Sequence, residues 1–208
     1  MKNVFITGGA GYVGAVLVPK LLNAGYHVKV LDLYIYGEHV LDSVKDHPNL
    51  KQVKGDIRDR QLLEKELPGS DAVIHLACIS NDPSFELDPD LGKSINYDAF
   101  FDLVDVSKDS GVKRFVYASS QSMYGVANTD HELDEDDSKK NAITAYARTK
   151  WDAELALKEL VRPDFAVVCF RPSTVFGVSL PLWTLIAFSG LAIYALAQPG
   201  LARIAESR

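Results

Sequence analysis

The stretch Val4-Phe5-Ile6-Thr7-Gly8-Gly9-Ala10-Gly11-Tyr12-Val13-Gly14 decides the fold, because an apolar run breaks into glycines and then resumes with helical periodicity. The pattern predicts a strand, a tight loop and a helix. A Cβ at Gly8 or Gly11 would keep a diphosphate from the backbone N–H groups, and Gly14 lets the helix lie close to the strand. The helix N-terminus adds partial positive charge for an anion. We therefore predict a dinucleotide site, the alternative being a glycine-rich turn without a ligand.

A carboxylate follows the second predicted strand, residues 27–31, about 20 residues after the glycines, where a dinucleotide presents its ribose hydroxyls. This residue is Asp32. Because a carboxylate repels a 2′-phosphate, it favours NAD over NADP; the alternative is a solvated turn aspartate. Asp56, after the third predicted strand, has two open interpretations. It accepts a hydrogen bond from the adenine amino group, or it caps the helix that starts near Asp59.

Strands and helices alternate along the first 178 residues, with crossovers long enough to hold helices. This order predicts a Rossmann-type doubly wound parallel sheet, an α/β fold of three layers with the fourth strand beside the first. We predict a dinucleotide-binding domain over residues 1–178 and a hydrophobic tail of uncertain structure over 179–208. The later predicted strands cover residues 50–54, 71–78, 112–118 and 165–170, and the main predicted helices cover 12–24, 91–110 and 142–160.

Composition excludes several function classes. The net charge of −6 and the lack of clustered Lys and Arg argue against nucleic acid and favour a small-molecule substrate. Cys78 and Cys169 stand in apolar runs without a C-x-x-C pair, which predicts buried thiols in a reducing compartment. The acidic stretch 130–137 lacks ligand spacing and reads as a solvated loop, so no metal is predicted. Met1 leads straight into a strand without a signal peptide, and we expect a cytoplasmic protein.

Ser120 follows the fifth predicted strand, and Tyr146 and Lys150 lie one turn apart on the next helix. A phenol acting as base near neutrality needs its pKa lowered by about 3, or about 4 kcal/mol. A cation about 5 Å away contributes roughly 3 kcal/mol at an effective dielectric near 20. Lys150 with an oxidised nicotinamide therefore suffices. Tyr146 would take a substrate hydroxyl proton while Ser120 hydrogen-bonds the same oxygen. His75 is expected to be a packed core histidine.

Up to about residue 178 the chain resembles the extended short-chain dehydrogenases/reductases of the NAD-dependent epimerase/dehydratase family. The resemblance implies NAD as cofactor and typically a nucleotide-linked sugar as substrate, with Lys150 on the nicotinamide ribose, Asp32 on the adenosine ribose and Asp56 at adenine. It rests on the glycine motif, Asp32, Gly55-Asp56-Ile57, His75-Leu76-Ala77, Asn96, Ser119-Ser120 through Tyr124-Gly125, Tyr146 with Lys150, and Arg171-Pro172-Ser173. Cofactor contacts are expected at Gly8, Gly11, Tyr12, Val13, Asp32, Asp56, Ile57, Leu76, Ala77 and Lys150.

Departures from the family pattern narrow the expected reaction. The 4,6-dehydratases carry an Asp-Glu pair where this chain has Gln121 and Ser122. Without that acid and base, epimerisation or simple oxidation and reduction is favoured over loss of water. UDP-galactose 4-epimerases have a lysine at the position of Ser80 and an asparagine at that of Thr174, which argues against that particular substrate. A non-catalytic NAD-binding module, dimeric or membrane-attached, is the alternative function.

The last 30 residues depart from the family pattern, which normally continues into a substrate-binding subdomain that is largely missing here. Residues 180–197 form an uncharged, apolar run of borderline length for a membrane span. Three interpretations stay open: a membrane anchor, a hydrophobic helix that packs on the sheet edge or in a homodimer, and an aberrant terminus. The last is favoured, because the pattern stops abruptly; membrane contact is not favoured.

Overall fold

The computed structural model describes residues 1–126, 139–172, 190, 193–194 and 196. Its centre is one sheet of six parallel strands in the order β3-β2-β1-β4-β5-β6. The order confirms the predicted Rossmann-type sheet, with β4 beside β1. The strands are β1 Asn3–Thr7, β2 His27–Asp32, β3 Leu50–Lys54, β4 Ala72–His75, β5 Arg114–Ala118 and β6 Ala166–Phe170.

Successive side chains of each strand enter two separate cores, as expected for a sheet covered on both faces. Phe5 and Val73 face the core that includes helices α2, α5 and α6, whereas Val4 and Ile6 face α1. Helices therefore lie on both faces of the sheet. Within the described residues the α-helices are α1 Gly14–Asn23, α2 Arg60–Glu66, α3 Asp82–Leu87, α4 Pro89–Lys93, α5 Ala99–Asp109 and α6 Ala145–Leu160.

Two predicted elements differ in more than a shift of a few residues at their ends. The predicted helix 91–110 is divided into α4 and α5 by a π-helical segment, Ser94–Asp98. A π-segment widens the turn and commonly marks a functional position. The predicted strand 71–78 ends at His75, because the chain then leaves the ladder and forms a loop beside the glycines. Short 3₁₀ helices occupy Glu38–Val44 and Gln121–Tyr124.

Register places the ends of three strands at one point. Thr7 pairs with both Leu31 and His75, so Gly8, Asp32 and Leu76 leave the sheet side by side. This is the carboxyl edge at the switch point between β1 and β4, where open α/β sheets bind ligands.

The described part of the C-terminal tail consists of four residues in helical conformation, Gly190, Ile193, Tyr194 and Leu196. Leu196 is 2% exposed and belongs to the core on the α1 face, and Ile193 packs against the same core. For these residues, burial favours the packing interpretation. Among the residues described, no helix is long and apolar enough to cross a membrane. Most of the apolar run 180–197 lies outside them, as do the acidic loop 130–137 and Thr174.

Candidate active site

The glycine loop is held by close backbone approaches. Gly8 has φ +72°, and a Cβ there would lie 2.5 Å from the Ala77 backbone nitrogen. The backbone after β4 therefore leaves no room for a side chain at position 8, whether or not a ligand is bound. A Cβ at Gly14 would lie 2.3 Å from the Gly9 carbonyl oxygen, so this glycine lets α1 pack on the loop. Among the described residues, a Cβ added at Gly11 would come close only to the Gly8 oxygen, at 3.2 Å. The N-terminus of α1 has no side-chain cap and no acidic residue in its first turn. These features fit a diphosphate.

Asp32 orders the loop as well as facing the cleft. One carboxylate oxygen accepts a hydrogen bond from the Ala10 N–H at 2.8 Å, and the other accepts from the Tyr34 N–H at 2.7 Å. These bonds hold the carboxylate within the loop, and both the ribose role and the alternative of a turn aspartate stay predictions. Each carboxylate oxygen has two lone pairs, so both retain acceptor capacity for ribose hydroxyls.

A cleft of about 120 Å³ opens at the switch point. Seven predicted cofactor residues line it: Gly8, Gly11, Asp32, Asp56, Ile57, Leu76 and Ala77. Tyr12 and Val13 lie at the start of α1 outside the lining, and Lys150 lies deeper, below the end of β5. Eight further residues line the cleft that were not predicted from the sequence: Leu31, Leu33, Ile35, Tyr36, Gly55, Cys78, Ile79 and Ile95. The signal available in the sequence is the apolar run 33–36 directly after Asp32. Ile35 and Tyr36 of this run are 69% and 66% exposed, which is unusual for apolar side chains.

Asp56 is clamped by Arg58, whose Nε lies 3.0 Å from both carboxylate oxygens. This hydrogen bonding holds the pKa of Asp56 below its usual range, against the opposing effect of burial. Asp59 is the N-cap of α2, because its side chain accepts from the Leu62 N–H at 3.1 Å. The capping interpretation of Asp56 is therefore wrong, and the adenine interpretation stays a prediction.

The loop after β4 is fixed by a buried amide. Asn96, 2% exposed in the π-segment, donates to the Ile79 carbonyl oxygen at 2.9 Å and accepts from the Ile79 N–H at 2.8 Å. The Asn96 side chain thus hydrogen-bonds both backbone groups of Ile79, a residue that lines the cleft.

His75, 2% exposed, lies 2.7 Å through Nδ1 from the Thr7 hydroxyl, at the foot of the glycine loop. Its prediction as a core histidine is confirmed. Burial, with a smaller contribution from Lys150, lowers the pKa of His75 to about 3. The imidazole is therefore neutral, as a hydrogen-bonded core residue should be.

Ser120, Tyr146 and Lys150 meet at the end of β5. Lys150 is 3% exposed and donates from Nζ to the Ala118 carbonyl oxygen at 2.8 Å. Its ammonium lies 4.9 Å from the Tyr117 ring centre and 5.9 Å from that of Tyr146. The Ser120 hydroxyl donates to Ser122 Oγ at 3.0 Å.

The phenol of Tyr146 does not have the lowered pKa that the predicted role as a base requires. Burial chiefly raises its pKa, and Cys78 and Asp82 add to the rise, whereas Ser120 and the Asn81 backbone partly offset it. The expected lowering through Lys150 is therefore absent among the chain's own groups. Loss of hydration around the partly buried ring makes the largest contribution to the rise in the Tyr146 pKa.

A buried ionic network lies directly behind these residues. Glu154, 1% exposed, accepts from the Ser119 hydroxyl at 2.7 Å and forms an ion pair with Arg171. Arg171 also donates to the Tyr124 hydroxyl at 2.6 Å. Cys169 lies beside this network, and burial, assisted by Glu154, raises the pKa of its thiol to about 12. No sequence pattern identified the Glu154 contact, because it joins residues 35 positions apart.

Both cysteines are free and partly buried. Across the described part of the chain, no three His, Cys, Asp or Glu residues are grouped to hold a metal ion.

A family model described as the NAD dependent epimerase/dehydratase family matches residues 4–182. The chain belongs to this family. Membership confirms the resemblance inferred from the motifs, and the family's dependence on NAD agrees with the predicted cofactor.

Relatives within the epimerase/dehydratase family carry out more than one reaction. UDP-glucose 4-epimerase of Rhizobium meliloti is 33% identical over 163 residues, which are 76% of this chain and 47% of that protein. dTDP-D-glucose 4,6-dehydratase of Mus musculus is 31% identical over 184 residues, 85% of this chain and 51% of that protein. The chain thus spans about half the length of the curated relatives it matches.

A solved member of the family shows the same fold. UDP-glucose-4-epimerase from Stenotrophomonas maltophila, with bound NAD and formylated UDP-arabinopyranose, superimposes with a TM-score of 0.75 at 27% identity. The match covers 82% of this chain and 52% of that structure.

Proposed function

We propose that the protein is an NAD-dependent oxidoreductase or epimerase that acts on a hydroxyl of a nucleotide-linked sugar. The observation that carries the proposal is the convergence of Ser120, Tyr146 and Lys150 at the end of β5, next to the cleft of the glycine loop. Cys78 lies close to both the cleft and the Ser120–Tyr146–Lys150 group, because it lines the cleft and also raises the pKa of the Tyr146 phenol.

NAD is the cofactor that the cleft residues fit. The α1 N-terminus and Gly11 would hold the diphosphate, and Asp32 would accept from the adenosine ribose hydroxyls. Asp56 and Ile57 would border the adenine, and Lys150 would donate to the nicotinamide ribose. The fit rests on the uncapped helix end, the open space beside Gly11 and the spare acceptor capacity of Asp32.

The chain's own groups define the proton chemistry. Tyr146 would remove the proton of the sugar hydroxyl, while Ser120 turns its O–H from Ser122 toward the same oxygen. Bound NAD⁺ supplies the hydride acceptor, and its positive charge adds to that of Lys150. Both cations favour the phenolate and oppose the effect of burial on the Tyr146 pKa.

Oxidation or epimerisation is favoured over dehydration. Gln121 and Ser122 lie in the 3₁₀ helix after β5, where an amide and a hydroxyl offer neither a carboxylic acid nor a carboxylate. Loss of water from a sugar needs both. The relatives named above transform UDP- or dTDP-linked glucose, which supports a nucleotide-linked sugar as the substrate class.

The test combines binding and turnover. Calorimetry with NAD⁺ should show binding, and a panel of UDP-, dTDP- and GDP-sugars should give cofactor reduction or epimerised product. Tyr146→Phe should abolish turnover and retain NAD⁺ binding. Tyr26→Phe, which also removes one phenolic hydroxyl but lies before β2 at the opposite edge of the sheet, should keep both. Absence of NAD⁺ binding at millimolar cofactor would refute the proposal.

A second candidate is a non-catalytic NAD-binding module, which is favoured by the effect of burial that raises the pKa of the Tyr146 phenol. NAD⁺ binding without turnover of any sugar nucleotide would identify this module. Turnover that Tyr146→Phe abolishes would exclude it.

A further inference from the structure

Glu154 has a position on α6 that the proposed reaction does not use directly. It follows Lys150 by one turn and Tyr146 by two turns, so the three side chains share a face of the helix. Glu154 is 1% exposed, and a carboxylate at such depth requires partners. Its partners lie on two other elements, at the ends of β5 and β6.

The segment 119–124 is held at both of its ends by the Glu154–Arg171 pair. At the start, the Ser119 hydroxyl donates to Glu154 Oε2 at 2.7 Å. At the end, the Tyr124 hydroxyl accepts from Arg171 at 2.6 Å, and Arg171 donates from Nε to the same Glu154 oxygen at 3.2 Å. One buried ion pair thus closes a loop of six residues.

Ser120 lies inside this loop, next to the residue that Glu154 holds. Its hydroxyl caps the 3₁₀ helix by accepting from the Ser122 N–H at 3.1 Å. Ala118, the residue before Ser119, is held by Lys150, whose Nζ donates to the Ala118 carbonyl oxygen. Successive turns of α6 therefore hold residues 118 and 119, and between them they set where the Ser120 backbone leaves the strand.

We propose that Glu154, charge-paired with Arg171, is a positioning residue that places the Ser120 hydroxyl against the Tyr146 phenol. The inference rests on the proposed function of Ser120 and Tyr146. A charged acceptor suits the task, because hydrogen bonds to an ionised carboxylate are shorter and stronger than those to a neutral group. Rotation of Ser119 away from Glu154 would let the Ser120 backbone move.

Two variants remove the contact in different ways. Ser119→Ala deletes one hydroxyl and leaves the ion pair intact. Glu154→Gln keeps the shape and an acceptor oxygen but removes the charge that Arg171 faces. Glu159→Gln makes the same chemical change at an exposed position of α6 and is the matched control.

The first readout is kinetic. Ser119→Ala and Glu154→Gln should lower kcat for sugar-nucleotide oxidation by roughly 10- to 100-fold, with a smaller change in KM and unchanged NAD⁺ affinity. The control should match the wild type in kcat, KM and affinity.

The second readout follows ionisation of Tyr146 in the NAD⁺ complex, by absorbance of tyrosinate against pH. The titration of each protein is corrected by subtracting that of the same protein carrying Tyr146→Phe. The subtraction removes the absorbance of the other eight of the nine tyrosines. Since Ser120 lowers the pKa of Tyr146 and Cys78, Asp82 and burial raise it, displacing Ser120 should move the titration to higher pH. A loss of stability alone would leave the midpoint unchanged.

The results separate this inference from the proposed function. A folded Ser119→Ala protein with wild-type NAD⁺ affinity, kcat and Tyr146 titration overturns it, even if it melts at lower temperature. If Glu154→Gln does not fold, the kinetics and the Tyr146 titration of Ser119→Ala test the inference. If the wild type binds NAD⁺ without turning over any sugar nucleotide, the proposed activity fails, and the shifted titration alone then supports the positioning role. If the wild type does not bind NAD⁺, both are overturned.

Discussion

Asp32 combines two roles that are usually considered separately. Its position after β2 predicts an NAD-selective carboxylate, whereas its hydrogen bonds to the Ala10 and Tyr34 N–H groups show that it also orders the glycine loop. Removing the Asp32 carboxylate should therefore disturb the glycine loop as well as change the preference between NAD and NADP.

We predict that Asp32→Ala weakens NAD⁺ binding at least about tenfold, or about 1.4 kcal/mol, without producing tight NADP⁺ binding. The reason is that the loop loses its anchor together with the repulsive carboxylate. Calorimetry with both cofactors measures this, and Asp46→Ala, at an exposed aspartate, is the control. Tight NADP⁺ binding by the variant would show that the loop does not depend on Asp32.

His75 makes stability depend on pH. Its pKa is about 3 in the folded state and about 6.5 when unfolded, so the unfolded chain takes up the proton first as pH falls. Its contribution is fully present above pH 6.5 and decreases by about 1.4 kcal/mol per pH unit between there and pH 3. At pH 5 the loss is about 2 kcal/mol.

Urea unfolding of the wild type and of His75→Gln at pH 7.5 and pH 5 measures this effect. The difference between the two pH values should be about 2 kcal/mol smaller in the variant. His39→Gln, at an exposed histidine, should retain the wild-type difference. An equal pH dependence in His75→Gln and the wild type would contradict a neutral buried imidazole.

Site residues could be predicted from the sequence where the residues they act with are close to them in the sequence. Tyr146 and Lys150 stand one turn apart on one helix, and Asp32 has a fixed distance from the glycines, so pattern and spacing identify them. Asn96 with Ile79 and Glu154 with Ser119 are brought together only by the tertiary fold. The rise in the Tyr146 pKa likewise depends on burial, which sequence alone does not give.

At the scale of elements, β1, the glycine loop and α1 form one tightly packed unit. Gly11 and Gly14 are equivalent in the sequence motif but differ in their surroundings. Gly14 faces the Gly9 backbone, whereas Gly11 lines the cleft and meets only one oxygen.

The two glycines therefore predict opposite outcomes for the same added methyl group. Gly14→Ala should lower the free energy of unfolding by at least about 1–3 kcal/mol, because backbone atoms must move. Gly11→Ala should lower it by less than about 1 kcal/mol and weaken NAD⁺ binding roughly tenfold. Thermal unfolding and calorimetry on both variants test this. Equal stability of the two variants would contradict the packing of α1 on Gly9.

The bounds of the elements were less predictable than their order. Alternating strand and helix patterns predicted the six strands and the main crossover helices, because each pattern is local, but they did not predict the short helix α3. The π-segment Ser94–Asp98 interrupts a continuous helical pattern, and the amide of Asn96 within it reaches a residue that lies before α3. Such an interruption arises from a distant contact and leaves no periodic signal.

At the scale of the whole molecule, the two faces of the sheet are covered differently. One face carries α2, α5 and α6, and the other carries α1 together with Leu196 of the tail. Leu196 thus contacts the domain, whereas the choice among an anchor, a packing helix and an aberrant terminus for the whole tail stays a prediction.

We predict that Leu196→Ala lowers the free energy of unfolding by about 2–4 kcal/mol, because it leaves a cavity in the core on the α1 face. Tyr194→Ala, two residues away and 57% exposed, should change it by less than about 0.5 kcal/mol. Urea unfolding of both variants gives the comparison. Equal effects would show that the tail does not stabilise the domain.

The different settings of the two thiols give the protein a built-in chemical reporter. Burial raises the pKa of the Cys169 thiol to about 12, so near neutral pH alkylating reagents that attack thiolates should react with it slowly. Cys78 lines the cleft, and labelling there should slow in proportion to cofactor occupancy. The mass of the alkylated protein would thus report how much of the site is filled, without any engineered probe.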